Sequence, residues 1–63
     1  MWPFLKDYFI TVAECDRTKN YGVARLSCRV CNLVEAHRIA EDVCHEREKK
    51  SGTSWAVDDI ERI

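Results

Sequence analysis

The cysteine and histidine residues are the side chains of this sequence that could most readily perform chemistry. Four cysteines occur in 63 residues. Cys28 and Cys31 have the CxxC spacing of a zinc knuckle, to which Cys44 and His45 could add two further ligands. However, the sequence has no second CxxC, and no glycine lies between Cys28 and Cys31 to form the usual knuckle turn. We therefore expect reduced thiols without a metal, and keep a small zinc-stabilised nucleic-acid-binding module as the alternative.

Two histidines, His37 and His45, lie eight residues apart with Glu41 midway between them. Such groups on one helical stripe can bind a metal or move a proton, but a solvated face of hydrogen bonds and ion pairs explains them more simply. The sequence has no recognisable pairing of a nucleophile with a base, no glycine-rich phosphate loop and no recognisable pair of carboxylates. We expect a protein that is not an enzyme and that uses no cofactor.

Length and charge limit the remaining classes of function. Sixty-three residues form a single domain, residues 1–63, with a small core. Charged residues make up 33% of the chain, yet the net charge is only −1, so any binding to free nucleic acid should be weak and non-specific. No apolar segment is long enough for a signal peptide or a membrane span, which predicts a cytoplasmic protein with reduced cysteines.

The first half of the sequence predicts a β-hairpin. Residues 8–14 are rich in aromatic and β-branched side chains, and residues 22–30 alternate between apolar and polar types. Turn formers and charges fill residues 16–22 and predict the hairpin loop. The apolar face of the second strand consists of Ala24, Leu26, Cys28 and Val30.

The second half predicts one long helix and a returning strand. Asn32 can cap the first turn of a helix over residues 33–50, and Gly52 can end it in the left-handed conformation. Residues 53–63 alternate with a change of period at Asp58 and Asp59, which indicates a strand with a bulge. The predicted apolar stripe of the helix consists of Leu33, Ala36, Ala40, Val43 and Cys44.

These elements predict an α+β fold of order β-β-α-β, in which a three-stranded antiparallel sheet of order 2-1-3 packs on one helix. A single helix covers only one face of such a sheet, so the other face is the predicted functional surface. Arginine beside exposed aromatic side chains is typical of protein interfaces. The predicted partner-binding residues are Arg17 and Lys19 of the hairpin loop and Arg25 and Arg29 of the second strand.

Two runs of sequence, followed by a short returning strand, carry a resemblance to small proteins of phages and mobile elements: Ala24-x-Leu26-Ser27-Cys28-x-Val30 and Asn32-Leu33-x-x-Ala36-x-Arg38-Ile39-Ala40. The pattern covers residues 10–63. It is most similar to compact β-β-α-β anti-CRISPR proteins of type I systems, and more distantly to HicB-like antitoxins. The resemblance implies a non-enzymatic inhibitor in the host cell cytoplasm. Such an inhibitor would dock on a larger protein or ribonucleoprotein complex and block nucleic-acid binding. Separately from the resemblance, so small a domain could be stabilised by a second copy as a homodimer.

Overall fold

The computed structural model describes residues 5–16 and 21–63 of the chain. Its elements follow in the order β1 (Lys6–Glu14), β2 (Val23–Val30), α1 (Leu33–Ser51) and β3 (Trp55–Arg62), which confirms the predicted β-β-α-β fold of the α+β class. In these two ranges, no helix combines the length and the apolar composition that a membrane span needs. Arg17 and Lys19 of the predicted binding set lie outside the described residues.

The three strands form one antiparallel sheet in the predicted order β2-β1-β3, with β1 at the centre. The pairing of β1 with β3 shifts at one point, because Thr11 lies opposite Asp59 whereas Val12 lies opposite Val57. Asp58 is therefore an extra residue on β3 and forms a β-bulge at the predicted place. The bulge lets Val57 and Ile60 both pack against the core, although they are three residues apart.

Both ends of α1 are capped by the residues that the sequence indicates. The Asn32 side-chain oxygen accepts a hydrogen bond of 3.0 Å from the Glu35 amide in the first turn. At the other end, Gly52 adopts the left-handed conformation with φ of 72°, and its amide donates to the Glu48 carbonyl at 2.9 Å. These caps satisfy backbone groups that the helix itself leaves unpaired.

The core lies between α1 and the central strand. Ile10 and Val12 of β1 are fully buried, and they belong to the same cluster as Ala36, Ala40 and Cys44 of α1. Small side chains on the helix allow its backbone to approach the sheet closely, and close packing gives each buried atom many favourable contacts. Burial on this one face of the sheet therefore holds the fold together.

The prediction that Leu33 belongs to the buried stripe is wrong, because Leu33 is 55% exposed. Side chains on a helix lean toward its N-terminus, and Leu33 is the first residue of α1. Its side chain therefore extends beyond the body of the helix instead of over the sheet. Val43, another member of that stripe, packs against the core while partly exposed.

We expect Ala40→Asp to unfold the domain, because Ala40 is fully buried and an unpaired carboxylate there would cost several kcal/mol, about as much as the whole stability of so small a domain. Val34→Asp is the matched control, since Val34 is 67% exposed and lies in the first turn of α1, where the helix dipole favours negative charge. Urea unfolding followed by circular dichroism measures both variants. Similar losses of stability in the two variants would contradict the packing of α1.

Candidate functional site: the open sheet face

The open face is the side of the sheet that points away from α1. Residues directly opposite each other on antiparallel strands share one side of the sheet, and the side alternates along each strand. Among the described residues, no helix or strand covers this side. The register assigns to the open face Asp7, Phe9, Thr11 and Ala13 of β1, Val23, Arg25, Ser27 and Arg29 of β2, and Ala56, Asp59 and Glu61 of β3.

The open face is crossed by rows in which each strand contributes one residue. The first row is apolar. In each of the next two rows, the β1 residue has a polar or basic β2 residue on one side and an acidic β3 residue on the other. The β2 edge of the face is therefore basic and the β3 edge acidic. The three rows are Val23–Ala13–Ala56, Arg25–Thr11–Asp59 and Ser27–Phe9–Glu61.

The two predicted arginines on this face differ in their surroundings. Arg29 Nε donates a hydrogen bond to Asp7 Oδ1 at 2.9 Å, and this bond and the charge of Asp7 raise the pKa of Arg29. Arg25 is exposed and has no ion-pair partner within residues 5–16 and 21–63. Because Asp7 neutralises Arg29, Arg25 supplies the uncompensated positive charge that the described part of β2 contributes to the open face.

The acidic edge of the face, Asp59 and Glu61, is absent from the predicted binding set. Both residues are exposed and share the side of Thr11 and Phe9, which are their neighbours on β1. The bulge at Asp58 reverses the alternation along β3, so the strand sequence alone does not reveal that Asp59 belongs to this face. The described surface therefore carries charges of both signs at separate edges.

The four candidate zinc ligands do not form a metal site. Within the described ranges, no group of three or more histidine, cysteine or acidic side chains is arranged to hold a metal ion. Cys31 is exposed, Cys28 is half-buried beside the core, and Cys44 is buried. Burial, assisted by nearby acidic groups, raises the pKa of the Cys44 thiol. Cys44 therefore packs as a small neutral side chain, as predicted.

The histidines lie on the exposed surface of α1, in agreement with the solvated helix face that the sequence predicts. His37 Nδ1 lies 3.9 Å from Glu41 Oε2, and His45 Nδ1 lies 3.7 Å from Glu48 Oε1. The other oxygen of Glu48 accepts a hydrogen bond of 3.1 Å from the Trp55 amide. These are local pairs at helical spacing, which contribute little energy on an exposed surface.

A polar network joins the hairpin, the end of α1 and the start of β3. The Glu14 carboxylate accepts hydrogen bonds from the Gly22 amide and from the Thr53 hydroxyl, the latter at 2.6 Å. Ser51 Oγ lies 2.8 Å from Thr53 Oγ1 and accepts a bond of 2.9 Å from the Trp55 indole. A Cβ at Gly22 would lie 2.8 Å from Glu14 Oε1 and 2.9 Å from the Trp55 ring, so only glycine fits there without a shift. The network lies on the α1 side of the sheet and holds both edge strands against β1 at this end.

Comparisons with known proteins identify no relative of this chain. No family model matches the chain, and no curated protein or solved structure matches it. The candidate site therefore rests on the residues of the open face and on their arrangement.

The Glu14 network predicts a specific loss of stability in acid. The hydrogen bonds from Thr53 and Gly22 hold the pKa of Glu14 below its usual value of 4.5. A carboxylate with a lowered folded pKa stabilises the fold above its unfolded pKa, and this contribution disappears as pH falls through the folded pKa. Between about pH 6 and about pH 3, the urea midpoint of the wild type should fall more than that of Glu14→Gln, whose amide does not titrate. Identical pH dependence in the two proteins would contradict this role.

Proposed function

We propose that this chain is a non-enzymatic binding protein that docks through its open sheet face on a larger protein complex. One observation carries the proposal: α1 covers one face of the sheet, while no described helix or strand covers the other. Phe9, at the centre of that face, is 37% exposed and lies one row from Arg25. An aromatic side chain near an arginine on an unopposed surface has the composition of an interaction hot spot.

The charges of the open face favour a protein partner over a nucleic acid. Asp59 and Glu61 would repel the phosphates of a polyanion that lay across the sheet. A protein surface with an acidic group opposite Arg25 and a basic group opposite the β3 edge would complement both edges. Free duplex DNA should bind weakly, and that binding should decrease steeply with salt.

The sequence resemblance to compact anti-CRISPR proteins suggests a specific form of this function. The partner would be a guide-loaded type I effector complex in the host cytoplasm, and docking would block its binding to target nucleic acid. The open face would contact a protein subunit of that complex, and the inhibition would need neither a metal nor a cofactor. Arg17 and Lys19 of the hairpin loop stay predicted contacts.

Titration of the protein into purified type I effector complexes tests the proposal, with fluorescence anisotropy reporting the binding of labelled target DNA. We expect stoichiometric loss of DNA binding for at least one complex. Reversal of both arginines, Arg25→Glu with Arg29→Glu, should raise the concentration for half-inhibition about tenfold or more, because the new carboxylates would repel acidic groups of the partner.

A matched control reverses two exposed arginines away from the open face, Arg38→Glu on α1 with Arg62→Glu on β3. Arg62 lies opposite Tyr8, whose side chain faces the core, so it is on the other side of the sheet. The control should inhibit as the wild type does. Unimpaired DNA binding by every complex tested, or equal loss of inhibition in both double variants, would overturn the proposal.

A further inference from the structure

We infer that the open face also binds a second copy of this chain, because its charge pattern is complementary to itself. Arg25 and Asp59 lie in one row at opposite edges of the face, with Thr11 between them. Two strand spacings of about 4.8 Å separate their backbones by about 10 Å, so both charges are available to a facing surface. This inference does not depend on the identity of any other partner.

The two edges determine how two copies can face each other. A two-fold axis parallel to the strands, lying between two stacked sheets, sets β2 of each copy over β3 of the other. Arg25 then lies over Asp59 of the second copy, and the symmetry repeats this contact. A two-fold axis perpendicular to the strands would instead set β2 over β2 and bring arginines together. The charges therefore select the first arrangement.

The centre of the face suits the same arrangement. β1 is the middle strand, so it lies near the two-fold axis, and Phe9 of one copy meets Phe9 of the other. Aromatic rings stack favourably in an offset geometry. In the apolar row, Val23 faces Ala56 of the second copy. Phe9, Val23 and Ala56 therefore meet apolar side chains of the second copy, while Arg25 and Asp59 pair at the edges of the face.

The size of the face predicts reversible association. Three strands about 4.8 Å apart and eight residues of about 3.4 Å each present roughly 400 Å² per copy, or about 800 Å² in total. Stable specific interfaces usually bury at least about 1,200 Å². The dimer should therefore form only at high concentration and weaken with salt. Because the copies use the open face, the dimer must dissociate before that face can bind another protein.

A charge-exchange experiment tests the inference by sedimentation equilibrium between about 10 μM and about 1 mM protein. Arg25→Glu sets a carboxylate over Asp59 of the second copy, and Asp59→Arg sets a guanidinium over Arg25. Each single variant should therefore lose self-association by about tenfold or more. An equimolar mixture of the two should associate again, because both contacts in the mixed dimer then join opposite charges.

The double variant Arg25→Glu/Asp59→Arg should also regain self-association, because each copy then carries both exchanged charges. Circular dichroism should show all variants folded. The Arg38→Glu/Arg62→Glu protein is the control and should associate as the wild type does. A monomeric wild type at every concentration, single variants that dimerise normally, or a mixture that stays monomeric would overturn the inference. Those outcomes are distinguishable from failure of the proposed function, which is measured with effector complexes.

Discussion

The packing of one helix on one face of a three-stranded sheet is the constraint on which the rest of the described structure depends. Ala36 and Ala40 of α1 pack with Ile10 and Val12 of β1 in one buried cluster. This burial removes the apolar surface between α1 and the sheet from water. Fold stability and a sheet face over which no described helix or strand packs are therefore two consequences of the same arrangement.

Two local features determine which side chains lie in each row of the open face. The bulge at Asp58 changes the alternation of β3, so that Val57 and Ile60 face the core while Asp59 faces outward. The network centred on Glu14 ties the start of β2 to the start of β3 across β1. Together they fix the rows of the open face, and with them the separation of its basic and acidic edges.

The local elements could be predicted from the sequence because their signals are local. Asn32 and Gly52 mark the ends of α1, aromatic and β-branched composition marks β1, alternation marks β2, and the change of period marks the bulge at Asp58. The inward positions of Cys28 and Cys44 follow from the same periodicities.

Long-range contacts could not be predicted in the same way. Asp7 and Arg29 are 22 residues apart, and Glu14 and Thr53 are 39 residues apart, so their pairing depends on the register of the whole sheet. For the same reason, the predicted binding set contains only basic residues, whereas the register shows a face that is basic at one edge and acidic at the other. Leu33 fits the helical period but lies at the end of the helix, where periodicity no longer implies burial.

Binding of a second copy through the open face is tested most directly by amide NMR spectra of isotope-labelled protein, recorded over a dilution series from about 1 mM downward. The amide signals of Phe9, Arg25 and Asp59 should shift with concentration, whereas those of Val34 and Glu41 on the exposed side of α1 should not. Signals that stay constant over the whole series, or shifts that concentrate on α1, would contradict self-association through the open face.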